Sequence, residues 1–297
     1  MKCDLCPRKC LVDRKKGEKG ICGQTENLKV ARAALHFWEE PCISGDAGSG
    51  AVFFSGCPLH CVFCQNENIA NGTVGKEISL ERLVDIFLEL QEKRANNINL
   101  VTPGHFVPQI VKALDQARKE GLTLPVVYNT SSYETVDTIK MLEGYVDIYL
   151  PDFKYMSPGL SKKYSHAPDY AEVAKAAIAE MVRQTGKAVF VNGDEDNLIL
   201  RETIVRHLTL PGCMADSMQI LKYLHETYGD MIYISIMNQF TPLSNLEKYP
   251  ELNRRITDEE YETLVDYAID IGIENGFIQE GDTAEESFIP AFDCEGV

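Results

Sequence analysis

The stretch AVFFSGCPLHCVFC, residues 51–64, decides how this sequence is interpreted. Its apolar start predicts a buried β-strand that leads directly into three cysteines, Cys57, Cys61 and Cys64, spaced C-x3-C-x2-C. Fe–S clusters are normally held by four cysteines at such close spacings, so three thiolates predict a cubane cluster with one iron open to another ligand. The alternative is a zinc knuckle completed by His60 or by a distant residue. His60 lies beside Cys61 within the loop, where its geometry as a ligand would be poor, so the spacing favours the cluster.

Short apolar runs alternate with amphipathic segments over the rest of the chain. The runs predict strands at 51–55, 98–102, 125–129, 146–150, 188–192, 204–210, 231–237 and 277–279. The amphipathic segments predict helices at 79–95, 107–120, 134–143, 171–185, 215–228 and 258–271. Ser79 is the predicted N-cap of the first helix, and glycines follow the ends of the others.

Strands that are apolar nearly throughout are typical of a parallel sheet buried on both faces. The sequence therefore predicts an α/β fold, either a (β/α) barrel or a doubly wound sheet, and periodicity alone does not separate the two. In both folds the active site lies at the carboxyl ends of the strands, which is where the cysteine loop follows the first strand.

A second group of cysteines opens the chain, in a Cys-rich leader (residues 1–25) that a bridge (28–48) joins to the barrel at 49–297. Cys3, Cys6, Cys10 and Cys22 supply four thiolates, the full complement for a closed zinc site or a fully ligated Fe–S cluster. A relay cluster and a disulfide switch are the redox alternatives. Trp38 is expected to pack between the leader and the barrel. The scattered cysteines are expected to be small buried hydrophobes: Cys42, Cys213 and Cys294.

Composition narrows the classes of partner. The 297 residues include 45 Asp and Glu against 29 Lys and Arg, a net charge of −16. Such a surface repels phosphate backbones and anionic lipid, so neither nucleic acid nor a membrane is an expected partner, although the leader carries a local basic patch. The chain has no apolar run of about 20 residues and no signal-peptide pattern, so we expect a cytoplasmic protein, in which clustered cysteines favour metal ligation over disulfides.

The motif Cys57-x3-Cys61-x-Phe63-Cys64 resembles the cluster motif of the radical S-adenosylmethionine (SAM) superfamily. Within it, the chain looks most like the pyruvate formate-lyase activating enzyme-like proteins. The resemblance implies a partial (β/α)6 barrel over about residues 51–280, with a 4Fe-4S cluster whose open iron is chelated by S-adenosylmethionine. Reductive cleavage of the cofactor then gives methionine and a 5′-deoxyadenosyl radical that abstracts hydrogen from a substrate.

The same resemblance assigns cofactor-binding residues at other strand ends. In the family, Gly104 falls in the segment that holds the methionine amino group, and Asn129 falls in the segment after the third strand, although both segments depart from the family pattern here. Asp152 and Lys154 match an Asp-x-Lys segment beside the cofactor; their side chains share one side of the strand, and an ordinary salt-bridged strand end is the alternative. Arg206 matches an Arg-x-x-x-x-Pro-Gly strand and would lie near the cofactor or cap strand ends structurally.

Two weaker assignments concern neighbouring loops. His105 is expected to be a satisfied histidine at a helix start, without a catalytic role. The segment Met237-Asn238-Gln239 closes the sixth strand, where the family often contacts adenosine. No residue beyond the cluster ligands is assigned to catalysis.

The subgroup resemblance implies a partner as well as a cofactor. Hydrogen would be taken from a glycine Cα of a glycyl-radical enzyme, and a flavodoxin or ferredoxin would reduce the cluster. The alternatives are a radical step on a small molecule or on another protein, and a non-catalytic iron–sulfur electron carrier or sensor.

Overall fold

A mostly parallel β-sheet forms the centre of the computed structural model, which describes residues 2–193, 197–243, 246–279 and 290–297. The strands are β1 (Leu28–His36), β2 (Ser49–Phe54), β3 (Lys76–Ile78), β4 (Ile98–Val101), β5 (Val126–Thr130), β6 (Ile148–Pro151), β7 (Val189–Phe190), β8 (Ile199–Leu208), β9 (Tyr233–Met237) and β10 (Gly276–Ile278). Their order is β10-β9-β8-β6-β5-β4-β2-β1-β3, with β7 paired to β8.

Seven of these strands, β2, β4, β5, β6, β8, β9 and β10, run parallel to one another. Among the described residues the two ends of the sheet do not pair, so hydrogen bonds leave the barrel open. The α/β fold and its parallel sheet are confirmed, and the open sheet is consistent with a partial barrel. Strand β1 adds an antiparallel edge beside β2 and also pairs with β3.

Helices cover the outside of the sheet. They are α1 (Pro41–Ser44), α2 (Glu67–Ala70), α3 (Leu80–Glu92), α4 (Val107–Lys119), α5 (Val136–Lys140), α6 (Pro158–Ser165), α7 (Tyr170–Thr185), α8 (Met214–Tyr228) and α9 (Asp258–Asp270). The predicted N-cap is confirmed, because the Ser79 hydroxyl accepts a hydrogen bond from the Arg82 backbone N–H at 3.1 Å. None of the described helices is both long and apolar enough to cross a bilayer.

Two apolar layers hold the helices on the sheet. One joins α3 and α4 to β2, β4 and β5 through side chains such as Phe54, Phe87 and Leu114. The other joins α7, α8 and α9 to β8 and β9, and reaches Leu59 and Phe63 of the cysteine loop. The loop therefore packs on the core at one edge and faces open space at the other.

One sequence prediction about a strand was wrong. Residues 188–192 do not form a barrel strand: only Val189 and Phe190 are extended, and they pair antiparallel with β8, which already begins at Ile199. In the bridge, residues 28–36 form one continuous strand. Their Ala, Leu, Lys and Arg content also suits a helix, and pairing with β2 decides the outcome.

The described C-terminal segment, residues 290–297, lies along β1. Cys294 donates its backbone N–H to the Ala31 carbonyl at 3.1 Å, and Ala33 donates to the Glu295 carbonyl at 2.9 Å. Arg32 holds the same segment through ion pairs with Asp293 and Glu295. Strand β1 thus connects the leader, the first barrel strand and this segment.

Candidate functional site

A cavity of about 580 Å³ opens at the carboxyl ends of the parallel strands. This volume lies within the range of about 300–1,000 Å³ typical of small-molecule sites. The residues predicted from sequence that line it are Cys57, Cys61, Cys64, Asn129, Asp152, Lys154, Arg206, Met237 and Gln239. These residues lie at or after the ends of five strands, β2, β5, β6, β8 and β9, so the topology brings together residues spread over most of the chain.

The three cysteines lie on the loop between β2 and α2, and all three face this cavity. The Ser165 hydroxyl donates to Cys61 Sγ at 3.0 Å, and the Leu59 backbone N–H points at Cys57 Sγ at 3.5 Å. Donors directed at sulfur stabilise the thiolate form that a metal requires. Burial raises the pKa of Cys57 to about 11 and that of Cys64 to about 12, so ligation at neutral pH would release protons.

His60 is held away from the cavity, as its position in the loop predicts. Its Nε2 lies 2.7 Å from the Ile21 carbonyl of the leader, and its Nδ1 lies 3.3 Å from Asn71 Oδ1. The backbone at His60 is left-handed, with φ of 51°. The ring joins the cysteine loop to the leader instead of serving as a fourth ligand.

A network of buried charges lines the same cavity as the cysteine loop. Asp152 accepts from Lys154 Nζ at 2.7 Å and from Arg206 Nε at 3.1 Å. Burial alone would raise the pKa of Asp152, but the charges of Lys154 and Arg206 outweigh it and hold that pKa below its ordinary range. Likewise burial would lower the pKa of Lys154, and the Asp152 carboxylate raises it instead. All three groups are therefore ionised at neutral pH.

The bridge supplies a residue that sequence reasoning missed. Glu39 enters the barrel before α1 and accepts from Arg206 Nη1 at 3.0 Å and from the amide of Asn99 at 2.9 Å. Arg206 also donates to Asn129 Oδ1 at 2.6 Å, so three strands and the bridge share one guanidinium. Arg206 therefore lines the cavity and also joins three strands and the bridge through its hydrogen bonds.

Glu40, the next residue, is buried and also lines the cavity. Burial raises its pKa, although the nearby Arg206 acts in the opposite direction, and its Oε2 has no hydrogen-bond partner in the structure. Two adjacent glutamates in a bridge ordinarily suggest a solvated surface. The sequence feature that could have identified them is their position directly before Pro41, where a helix begins.

Three other predictions are placed differently. Gly104 does not line the cavity; it packs so closely on the Glu134 carboxylate that a Cβ would lie 2.3 Å from its oxygen. His105 is only half satisfied, because Nε2 bonds the Ser55 carbonyl at 2.7 Å and the buried Nδ1 has no partner among the described residues. Trp38 is 57% exposed and lines the cavity, so it does not fill a leader–barrel interface as predicted.

Of the three scattered cysteines, Cys42 is buried as expected, whereas Cys213 and Cys294 are only partly buried. The leader cysteines Cys3, Cys6, Cys10 and Cys22 surround a much smaller cavity of about 10 Å³ against the outside of the barrel. Across the described residues, no three Cys, His, Asp or Glu side chains converge on one point as they would around a single ion.

The main cavity fits a cubane cluster with a bound small molecule. A cubane binds each thiolate at a different corner, so its three ligands need a common cavity and not a common point. The loop thiols meet that requirement, and the adjoining wall carries both cations and carboxylates for the charged ends of an amino-acid group.

Comparison with known proteins agrees with this site. Residues 51–197 match the Radical SAM superfamily. An uncharacterized protein of Methanocaldococcus jannaschii is 27% identical over 277 residues, which cover 90% of this chain and 74% of that protein.

Solved structures share the fold at low identity. SuiB of Streptococcus suis, in a crystal structure bound to S-adenosylmethionine, has a TM-score of 0.53 at 14% identity, covering 76% of this chain and 49% of SuiB. HydG, a maturase of the FeFe-hydrogenase, has a TM-score of 0.51 at 15% identity, covering 78% of this chain and 52% of HydG. The chain thus spans about half the length of these two proteins.

The family match begins at the first residue of AVFFSG and includes the three-cysteine loop. The fold alone is shared over about three quarters of the chain. On these grounds residues 51–197 belong to the radical SAM superfamily.

Proposed function

We propose that this chain holds a 4Fe-4S cluster at Cys57, Cys61 and Cys64 and binds S-adenosylmethionine in the adjoining cavity. The observation that carries the proposal is that these three thiols and the Asp152–Lys154–Arg206 network line one cavity. SuiB, which shares the fold, has been solved with S-adenosylmethionine bound, and this supports the choice of cofactor. When bound, the cluster and the cofactor together supply a reductive cleavage that yields methionine and a 5′-deoxyadenosyl radical.

The protein's own residues bind and orient the cofactor in this proposal. Lys154 and Arg206 supply fixed positive charge for a carboxylate, and their mutual partner Asp152 keeps both side chains in place. Glu39 holds Arg206 from the opposite side, so the guanidinium cannot turn away from the wall. Met237 and Gln239 line the same cavity and are available for the adenosine part. A wall already ordered before binding costs less conformational entropy.

For the substrate, we propose a glycine Cα in a partner protein, which would store the radical as a glycyl radical. The cavity rim supports a protein substrate because Trp38 lines it and, with Phe37, is largely exposed. Exposed aromatic side chains are enriched where proteins bind one another. A flavodoxin or a ferredoxin is the proposed electron donor. A small-molecule substrate, another protein substrate and a non-catalytic electron carrier or sensor are the outcomes that the experiments below distinguish.

Cofactor cleavage is tested first. The anaerobically reconstituted chain, reduced with dithionite or flavodoxin, is expected to convert S-adenosylmethionine to 5′-deoxyadenosine, measured by liquid chromatography. The triple variant C57S/C61S/C64S should be inactive, whereas C294S, which changes a cysteine that does not line the cavity, should retain activity. Iron bound at the site without any cleavage, and without a spectral change on adding S-adenosylmethionine, would identify a carrier or sensor instead. Zinc in place of iron would overturn the proposal.

The substrate is tested separately. The reduced chain is mixed with S-adenosylmethionine and a glycyl-radical enzyme from the same cell, and electron paramagnetic resonance is recorded. A doublet that disappears when the acceptor glycine is replaced by alanine supports activation. Cleavage without a doublet from any such enzyme would move the assignment to another protein or to a small molecule.

A further inference from the structure

The leader cavity shows a charge imbalance that the main cavity lacks. Arg14 is only 7% exposed, and its guanidinium donates to the Thr25 and His105 carbonyls and lies over the Phe106 ring. Within the described part of the chain no carboxylate forms an ion pair with it. A buried cation without an anionic partner is unfavourable, because carbonyl dipoles replace only part of its lost hydration.

Arg14 borders the leader thiols. Arg14 and His105 line the same small cavity as Cys3, Cys6, Cys10 and Cys22. His105 brings a second unsatisfied group, since its Nε2 bonds a carbonyl and its buried Nδ1 has no partner. The Arg14 guanidinium and the Nδ1 lone pair of His105 therefore border a cavity that four sulfurs surround. Among the described residues the guanidinium has no anion and the lone pair has no hydrogen-bond donor, although buried polar groups are normally paired.

The backbone is arranged to favour thiolates at this point. The Ile21 N–H points at Cys10 Sγ at 3.4 Å, and a donor directed at sulfur stabilises its thiolate form. Lys9 and Leu11 adopt left-handed backbone angles in the turn that brings Cys6 and Cys10 to one side. Non-glycine residues adopt such angles at a cost, which persists only where surrounding contacts impose it.

We propose that Cys3, Cys6, Cys10 and Cys22 hold a four-thiolate metal centre and that Arg14 is its counter-charge. Four thiolates around Zn²⁺ carry a net charge of −2, and four thiolates around an oxidised 4Fe-4S cluster also carry −2, so either centre supplies the anion that Arg14 lacks. Loading with zinc requires the sulfurs to move, since they do not converge on one point in the described structure. The leader, too short to form its own core, would gain its stability from the metal.

The centre would be in direct contact with the radical SAM loop. A Cβ on Gly56, the residue before Cys57, would lie 2.5 Å from the Cys22 carbonyl, so only glycine fits there. From the other side, His60 bonds the Ile21 carbonyl and Arg8 donates to the Pro58 carbonyl at 2.9 Å. Ordering of Cys22 by a metal would therefore fix the loop that carries Cys57 and Cys61.

The test uses the full chain in the C57S/C61S/C64S background, where any bound metal belongs to the leader and the outcome does not depend on cofactor cleavage. Protein purified anaerobically from cells supplied with iron and zinc is analysed by mass spectrometry for both metals. We expect either one zinc or four irons per chain, lost when C6S and C22S are added and retained when C294S is added instead. A background protein without metal, or one whose metal survives C6S/C22S, overturns the proposal.

The role of Arg14 has its own readout. Metal retention against a competing chelator should fall about 10–100-fold in R14M, as is usual when a group outside the ligand shell is removed. R14K keeps the charge and should retain the metal better than R14M, and K15M, which changes the exposed neighbouring cation, should behave as the parent. Equal retention in R14M and the parent, with R14M folded by circular dichroism, would remove Arg14 from the proposal.

Discussion

Asp152 is the residue on which the charges of the cavity wall depend. Replacing it with asparagine leaves the buried ammonium of Lys154 without its carboxylate, while Arg206 keeps Glu39. We expect D152N to lose about 2 kcal/mol of folding free energy, less than a fully buried pair because the wall faces a cavity. Urea denaturation measures the loss. D230N, which breaks the exposed pair with Lys187, is the control and should leave the midpoint unchanged.

The same variant tests the binding role of the wall. If Lys154 and Arg206 hold a carboxylate of the cofactor, D152N should weaken binding of S-adenosylmethionine to the reconstituted chain, measured by equilibrium dialysis, by more than tenfold. Unchanged binding would restrict this network to stabilising strand ends.

Glu202 makes folding stability depend on pH. Burial raises the pKa of Glu202 to about 8, while its Oε2 has no partner in the structure. The folded state therefore keeps a proton that the unfolded state loses near its ordinary value of 4.5. The folded state binds more protons than the unfolded state in this window, so the free energy of unfolding falls as pH rises from about 4.5 to 8. Below pH 4.5 Glu202 is protonated in both states and does not affect stability.

We expect E202Q to remove that dependence. The stability difference between E202Q and the parent should shift in favour of the variant as pH rises through this window. The shift is on the order of 5 kcal/mol, because each pKa unit corresponds to about 1.4 kcal/mol. Denaturation at several pH values measures it, and E172Q, at an exposed helix position, should show no such trend. Parallel curves for E202Q and the parent would contradict the assignment.

Among the larger elements, the leader and the cysteine loop behave as one unit. Arg8 donates to the carbonyls of Pro58, Ser165 and His166 and lies over the Tyr133 ring. R8A should therefore release the loop, giving faster hydrogen exchange of the amides at 57–64 and faster loss of iron from the reconstituted protein. K9A, at the exposed neighbouring residue, is the matched control. Equal exchange in R8A and K9A would show that the loop is held by its own packing.

Helices and strands whose limits are set by local sequence features were predictable, whereas those that depend on pairing with a distant strand were not. The helix at 80–92 has an apolar face and a serine cap, so its limits follow from local chemistry. Strand β1 has a composition that also suits a helix, and β7 pairs over two residues only. Pairing with β2 and β8 therefore decides the structure of these two segments.

Within the site, the positions of the strand-end residues followed from the sequence motifs. Glu39 did not, because its partners Asn99 and Arg206 lie far along the chain.

At the scale of the whole molecule, the open sheet places the leader, β1 and residues 290–297 on one side of the barrel. Arg32 is the main polar link, with an ion pair to Asp293 at 3.1 Å and a bond to the Ala291 carbonyl at 2.9 Å. R32A should lower the free energy of unfolding by about 1 kcal/mol, as expected for partly exposed ion pairs. It should also expose residues 290–297 to limited proteolysis, which mass spectrometry of the cleaved chain would show. R201A, at an exposed strand position, is the control; equal cleavage would contradict the link.

The pairing of β1 with residues 290–297 has a consequence for how the protein is made. Arg32 and its acceptor at Ala291 are 259 residues apart, so at a synthesis rate of about 5–20 residues per second the strand emerges from the ribosome roughly 10–50 s before its partner exists. Throughout that interval the backbone at Ala31 and Ala33 is an open edge, able to pair with any extended chain nearby. The nascent chain is thus exposed to misassembly at an edge that residues 290–297 will later cover.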